Sequence, residues 1–286
     1  MMENLNASYL HTPNIPRSIL YTPGYNLERL VKARESGADV CLIDLEDSVP
    51  LSKKALARKN CLHILSSHPH KSKVAVRINE LRSPEGLLDI NVLIESTVIP
   101  DILVMTMIRD ASEIEIVRSL LNTKNKPFIL YVTIETLEAI DDIDRIAMQC
   151  DGLVFGSADF AAELGVEIAW ENMLYVRQRI ANAAARHNIA AIDTACYHLD
   201  NQELLLEESI AVKALGFHGK AIVHPKQLST VMKVFSPSIK EIERAKEILR
   251  LAKDSKGEIF TFEGDMIGPP FIKKARKLLN NYSVEI

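Results

Sequence analysis

Cysteine is scarce in this chain. Its 286 residues carry four, Cys41, Cys61, Cys150 and Cys196, and none forms a C-x-x-C pair. That excludes a disulfide-framed module and offers no sulfur-rich zinc site. Three of them, Cys41, Cys150 and Cys196, sit in or beside apolar runs, so buried, reduced thiols are expected. An excess of basic charge is also missing. Lys and Arg number 34 against 38 Asp and Glu, a net charge of −4, which leaves no electrostatic footprint for nucleic acid. No apolar run approaches the roughly 18 residues that span a bilayer. The opening stretch MMENLNASYLHTPNIP has no basic segment followed by an apolar one. The expectation is therefore a cytoplasmic protein with no nucleic-acid and no membrane partner. Low-complexity segments and short repeats are absent, and no G-x-G-x-x-G turn follows the first strand candidate. What the chain has in quantity is apolar side chains, 47% of the total, enough for a large core.

Those apolar residues come in short runs: SILYT (18–22), VCLIDL (40–45), VAVRI (74–78), ILVMT (102–106), FILYVTI (128–134), GLVFG (152–156), AAIDT (190–194) and KAIVH (220–224). They are nearly continuous rather than alternating, as strands covered on both faces are. Amphipathic stretches lie between them. NLERLVKARESG (26–37), ASEIEIVRSLLN (111–122), LEAIDDIDRIAMQ (137–149) and Glu203 to Leu215 read as helices, and the first and last stop at glycine. Eight strands, each followed by a helix, predict a parallel sheet closed into a TIM (β/α)8 barrel over 1–235. An open doubly wound sheet is the alternative. Residues 236–286 exceed what a barrel needs. They read as a C-terminal helical extension: a charged helix with Ser236 or Ser238 as N-cap, a lid-like loop or short hairpin in GEIFTFEGDMIGPP, and a terminal helix.

Chemistry in such barrels sits at the C-terminal ends of the strands. The polar residues ending the apolar runs are Asp44, Glu46 and Asp47; Arg77 and Asn79; Glu135; Ser157 and Asp159; Asp193 and Thr194; and His224. So many carboxylates on one rim require a cation, because burying each one unpaired costs several kcal/mol, on the order of the penalty for any desolvated ion. Glu135 and Asp159 end adjacent strands and can converge. Two oxygen ligands, with the remaining positions left to water and substrate, suit Mg²⁺. Arg77 is either an anion anchor for a carboxylate or enolate oxygen, or a rim salt bridge to Glu46 or Asp47. His224, beside Pro225, is expected to cap a helix or form pocket wall, and Asp193 and Thr194 to line the pocket or cap the next segment. HPHK (68–71) is expected to be a solvated loop at the opposite rim. Lys273, Lys274, Arg276 and Lys277 are expected to form a solvated helix face.

Several of these motifs occur together, in order, in one known family. RSILYTPGYNLERLVKARESGADVCLIDLEDSVP, VRINELRSPEGLLD, IET (134–136), LVFGSADFAAELG, AIDT, ALGFHGKAIVHPKQL and EGDMIGPPFIKKARKLL closely resemble the citrate lyase β-subunit-like group of the HpcH/HpaI aldolase superfamily. The resemblance runs from about Arg17 to Leu279. It implies a TIM barrel assembled as a homotrimer or hexamer, one Mg²⁺ per subunit, and a CoA-thioester substrate. By the same resemblance, Glu135 and Asp159 are the metal ligands and Arg77 the residue that meets the substrate carboxylate. Glu46 and Asp47, with Asp44, form the acidic strand end around arginine and metal waters. Tyr21, Thr22, Pro23 and Gly24 form the first turn facing substrate or CoA phosphate.

Three departures stand out. Thr106-Met107 replace the P-K found after strand four in many relatives, although Arg109 is close by. Ser157-Ala158 precede Asp159 where many have G-P-E-D. Met266-Ile267-Gly268 stand where lyase members often have M-[IV]-D, whose aspartate acts across a subunit interface. The expected function is a Mg²⁺-dependent carbon–carbon lyase acting on a small hydroxyacyl-CoA of the citramalyl-, malyl- or citryl-CoA kind. The alternatives opened by Gly268 are an acyl-CoA thioesterase, a CoA-independent aldolase on a hydroxy or keto acid, and a CoA-ester-binding subunit with little turnover.

Overall fold

The computed structural model describes residues 15–67, 72–122, 128–255 and 258–281. HPHK (68–71) lies outside these described residues. The chain divides into two compact units, one running Pro16–Phe235 and one containing Ser236 onward.

The first unit is a closed barrel of eight parallel strands in sequence order: β1 Ser18–Pro23, β2 Val40–Asp44, β3 Lys73–Arg77, β4 Ile102–Met105, β5 Ile129–Ile134, β6 Gly152–Phe155, β7 Ala190–Asp193 and β8 Gly219–Ile222. β8 closes on β1 through Ser18–Lys220, Ile19–Ala221 and Leu20–Ile222. Each strand coincides, within a residue or two, with one of the eight apolar runs. The reason is burial on both faces: β2, β4, β6, β7 and β8 have no exposed residue.

The helices between them are α1 Leu27–Glu35, α2 Lys54–Ser66, α3 Pro84–Glu95, α4 Ser112–Asn122, α5 Leu137–Asp141, α6 Ile143–Gln149, α7 Ser157–Leu164, α8 Trp170–His187, α9 Gln202–Leu215 and α10 Leu228–Phe235. The caps follow local chemistry. Asn26, Ser83 and Asn201 each accept a backbone N–H in the first turn. α9 ends at Gly216 with φ +105, a conformation that costs a side-chain-bearing residue.

The stretch 137–149, expected to be one helix, is two. Asp142 interrupts it at φ −95, ψ 10, and its carboxylate accepts the Ala111 N–H at 2.9 Å. A tertiary hydrogen bond outweighs the helical period there.

The second unit holds α11 Ile239–Asp254, an antiparallel hairpin of β9 Phe260–Phe262 and β10 Asp265–Ile267, and α12 Pro269–Asn281. Ser238 is the N-cap of α11, in a reciprocal capping box with Glu241. The hairpin turns at Glu263 and Gly264, φ +50 and +84, both left-handed as a two-residue type I′ turn requires. Ile267 and Leu279 are fully buried with Ala245, Ile248 and Leu249.

Between barrel and helices, the charges are paired. Asp193, at the end of β7 and fully buried, accepts from Arg177 of α8 at 2.9 Å and from Lys220 of β8 at 2.6 Å. Lys220 is itself fully buried and lies 3.2 Å from Glu208. The Arg177 guanidinium also lies over the Trp170 ring at 4.9 Å and the Phe155 ring at 5.4 Å. Burial opposes ionisation of Asp193, but the two cations outweigh it and hold its pKa below the usual carboxylate value. Removing the carboxylate leaves two buried cations without it. Asp193→Ala should therefore cost about 3–5 kcal/mol of unfolding free energy, as breaking a buried ion pair does. Urea denaturation measures this, and a loss under 1 kcal/mol would contradict the reading.

Candidate active site

At the C-terminal end of the barrel the first pair formed is Asp44 with Arg77. They are register partners, the last residues of β2 and β3. The Arg77 Nε donates to Asp44 Oδ1 and Nη2 donates to Oδ2, both at 2.7 Å, a bidentate contact. The Glu46 and Ser48 N–H groups and the Ser48 hydroxyl also donate to Asp44. Tyr21 places its ring 5.1 Å from the guanidinium. Burial works against both charges, yet each partner outweighs that for the other. Asp44 is held below its ordinary pKa and Arg77 above its own.

The Nη1 of Arg77 lies 2.9 Å from Glu46 Oε2 and 3.8 Å from Asp47 Oδ2. The Glu46 contact is one of charge without hydrogen-bond alignment, since that oxygen is buried with no hydrogen-bond partner among the described residues. Burial pushes the Glu46 carboxyl well up, Arg77 opposes, and Asp47 adds to the rise. The principal partner of Arg77 is thus Asp44, and neither Glu46 nor Asp47.

Glu135 follows β5 directly and is 3% exposed. One hydrogen bond anchors it: the Met107 N–H donates to Oε1 at 2.7 Å. Its other oxygen, Oε2, lies against Gly156, where any Cβ would overlap it. Gly156 has an ordinary φ of −101, so the constraint on that residue is space and not conformation. Burial raises the Glu135 carboxyl to about 7; the Met107 N–H and Arg77 oppose the rise, and Asp159 and Asp47 add to it. Asp159, in the first turn of α7, is half-buried, and its carboxyl too is raised by burial and then by Asp47, against the pull of Arg77.

These groups share one cavity of about 440 Å³. Asp44, Asp47, Arg77, Glu135 and Asp159 all line it, so the structure brings together the predicted acids and arginine with the exception of Glu46, which reaches the cavity only through Arg77. Of the first turn, Tyr21 and Pro23 line the cavity. Thr22 and Gly24 are buried outside its lining, and Gly24 packs on Asp44, Leu45 and Ala57. Thr194 lines it and shares a 2.8 Å hydrogen bond with Ser157. Asp193 faces its buried cations instead. His224 accepts the Lys226 N–H as the cap of a single 3₁₀ turn. Lys273, Lys274, Arg276 and Lys277 are exposed on α12. In the hairpin, Asp265 accepts from Arg244 at 2.7 Å. Gly268 has only ordinary contacts, the nearest atom to a Cβ being 3.7 Å away, so the backbone there would accept a side chain.

Three lining features escape a reading of the strand ends alone. Arg29 and Tyr197 come from a helix and a loop that no apolar run marks. Thr133, two residues before Glu135, places in the wall a buried hydroxyl with no hydrogen-bond partner among the described residues. Alternation along the β5 run, 131-133-135, is the signal that points to it.

The donor set can be tested for a cation. Among the lining residues there are four carboxylates and two guanidiniums, and Asp44 is already neutralised by Arg77. Among the described residues, no three His, Cys, Asp or Glu side chains gather as a complete metal cage. Asp47 has only a 3.8 Å ion pair with Arg77, and among the described residues Glu135 and Asp159 have no ion pair at all, in a cavity with room for water and ligand. That composition fits a hard divalent cation with an incomplete protein shell.

The fold and the site together define a class: a parallel (β/α)8 barrel whose acid-rich C-terminal rim is organised around Arg77. Within that class, the family model HpcH/HpaI aldolase/citrate lyase matches residues 17–225, and the chain belongs to this family. It is 30% identical to the citrate lyase subunit beta of Haemophilus influenzae, over 92% of this chain and 95% of that protein. It is also 30% identical to the mitochondrial citramalyl-CoA lyase of Homo sapiens, over 94% of this chain and 86% of that one. Among solved structures it is similar to RipC from Yersinia pestis, with 33% identity, a TM-score of 0.71, and coverage of 79% of this chain and 98% of that one. The fold is shared with CitE from Mycobacterium tuberculosis, solved in complex with magnesium, acetoacetate and coenzyme A, at 24% identity and TM-score 0.78, with coverage of 94% and 98%.

The raised Glu135 carboxyl has a measurable effect on stability. Its pKa is near 4.5 in the unfolded chain and about 7 when folded, so between those values the folded state holds the extra proton. Stability in chelator should be greatest below pH 4.5 on this account and fall as pH rises to 7, by about 3 kcal/mol at 1.36 kcal/mol per pKa unit. Glu135→Gln should remove that slope and be the more stable protein at pH 8. Urea unfolding at pH 5, 6, 7 and 8 compares the two, and parallel profiles would refute the assignment.

Proposed function

We propose that this chain is a Mg²⁺-dependent carbon–carbon lyase that cleaves a small hydroxyacyl-CoA thioester, of the citramalyl-, malyl- or citryl-CoA kind, into a 2-keto acid and a shorter acyl-CoA. The observation that carries the reading is the meeting of Glu135, Asp159 and Arg77 in one cavity. The kinship with a citramalyl-CoA lyase and a citrate lyase subunit beta supports the reaction class.

Glu135 and Asp159 would hold the Mg²⁺. When bound, it supplies fixed positive charge beside oxygens that gain negative charge as the carbon–carbon bond breaks. Arg77 acts from the other side. Because Asp44 takes its Nε–Nη2 edge, the guanidinium meets a substrate carboxylate with its outer Nη1 and Nη2 hydrogens. Asp44 and Glu46 orient that guanidinium, and Tyr21 and Pro23 form the wall beside it. Asp47 lines the cavity as a half-free carboxylate and takes the substrate hydroxyl proton. The hydroxyl oxygen then becomes the keto oxygen, the carbon–carbon bond electrons pass to the thioester enolate, and the enolate takes up a proton to leave as acyl-CoA. Residues 1–235 are the catalytic domain and 236–286 its appendage. The protein works in the cytoplasm as a homotrimer or hexamer, by the family resemblance and in keeping with its buried free cysteines.

Incubation with Mg²⁺ and a panel of hydroxyacyl-CoA esters should yield a 2-keto acid and a shorter acyl-CoA in equal amounts, detected by chromatography. Free CoA thiol without keto acid would replace the lyase reading by a thioesterase one. Glu135→Gln and Arg77→Lys should each lower kcat/KM by about 10²-fold or more, the usual effect of losing one preorganised charge at a developing oxyanion.

A further inference from the structure

Among the described residues, three that are not glycine have a left-handed backbone: Met107, Asn188 and Glu263. Two occupy places where that conformation is routine. Asn188 ends α8, and Glu263 begins the hairpin turn. Met107 has neither excuse. It lies two residues past β4 at φ +51, a conformation that a residue with a Cβ adopts only when its surroundings impose it.

Those surroundings are specific. The residue before it, Thr106, is buried and donates its hydroxyl to the Ile78 carbonyl at 2.9 Å. Ile108, the residue after it, is fully buried, and its carbonyl accepts the Thr136 hydroxyl at 2.7 Å. The Arg109 N–H is then tied to Glu113 at 2.9 Å. The chain is pinned on both sides of Met107, and the turn these pins enforce directs one N–H onto Glu135 Oε1. Neither β4 nor the turn after it places a side chain in the cavity lining, and what this turn supplies to the rim is the N–H that holds Glu135. Thr136 makes the arrangement reciprocal, since it follows Glu135 in the chain and binds the carbonyl that follows Met107.

We propose that Met107 is a positioning residue. Its left-handed backbone clamps Oε1 of Glu135 and reserves Oε2, lying along Gly156, as the oxygen offered to the cation. The clamp rests on the function proposed for Glu135. It assigns a role to the backbone at this position and none to the thioether, so the side chain matters only through its tolerance of positive φ.

Two variants and one backbone replacement test this on the full chain. Met107→Gly keeps the N–H and removes the steric penalty. Met107→Val keeps the N–H but, being β-branched, resists the conformation. Replacing Met107 by its α-hydroxy acid keeps the side chain and deletes the N–H. Calorimetric titration with Mg²⁺ at pH 8 should give Met107→Val at least tenfold weaker than Met107→Gly, and the ester at least tenfold weaker than the unaltered chain. Equal affinities for the ester and the unaltered chain, or for Val and Gly, overturn the proposal. Thermal unfolding in chelator supplies a readout without metal: the ester should lower the melting temperature in the unaltered background by several times more than in Glu135→Ala. Equal shifts in the two backgrounds overturn the clamp even if Val does not fold. If the unaltered chain takes up no Mg²⁺, the function proposed for Glu135 falls, and the chelator cycle still decides the clamp.

Discussion

The ion pair between Asp44 and Arg77 is the interaction around which the barrel rim is built. Neither charge would be tolerated alone at that depth, and neither is alone: two hydrogen bonds of 2.7 Å join them across adjacent strand ends. Register fixes the geometry. β2 and β3 pair residue for residue, and the last rung of that ladder is the pair itself. Because Asp44 also accepts from the Glu46 and Ser48 amides, the same carboxylate shapes the turn that carries Glu46 and Asp47. One residue therefore sets the orientation of the guanidinium and the course of the acidic loop facing it.

Glu135 is the opposite case on the same rim. It is as deeply buried as Asp44, but a single amide holds it where Asp44 has a guanidinium and a turn. The two carboxylates consequently move in opposite directions, Asp44 downward and Glu135 upward. An acid held at a cost to the fold, backed by a glycine and a loop with a left-handed residue, is what the metal-binding role proposed for Glu135 calls for. Structural carboxylates in this chain, such as Asp193, come with cations of their own.

How much of this could be read from the sequence depended on whether the cause was local. Strands shielded on both faces must be apolar throughout, so all eight showed as runs, and their polar ends marked the rim. Asp142 was illegible as a helix break because its reason, the amide of Ala111, lies 31 residues away in the chain. Lys220 sits within an apolar run and reads as a strand end, yet it is buried with Asp193 and Glu208, partners that only the barrel brings near. The expected role of Arg77 as an anion anchor is narrowed for a similar reason. Spacing placed Asp44 on the rim but could not reveal that it had already taken one edge of the fork. Met107 belongs here too: the replacement of P-K was visible, whereas the backbone conformation it adopts was not.

All four cysteines are free and buried, and burial raises the pKa of each, with Cys61 and Cys150 at about 12. Thiolate, the reactive form, is thus nearly absent while the barrel is closed. Cys41 lies on β2 and Cys150 two residues before β6, staves diametrically across an eight-stranded ring. The molecule carries its own opening sensors at opposite sides of the wall. The rate at which an alkylating reagent consumes each thiol reads how often that side parts, and unequal rates would locate the seam at which the ring first gives way.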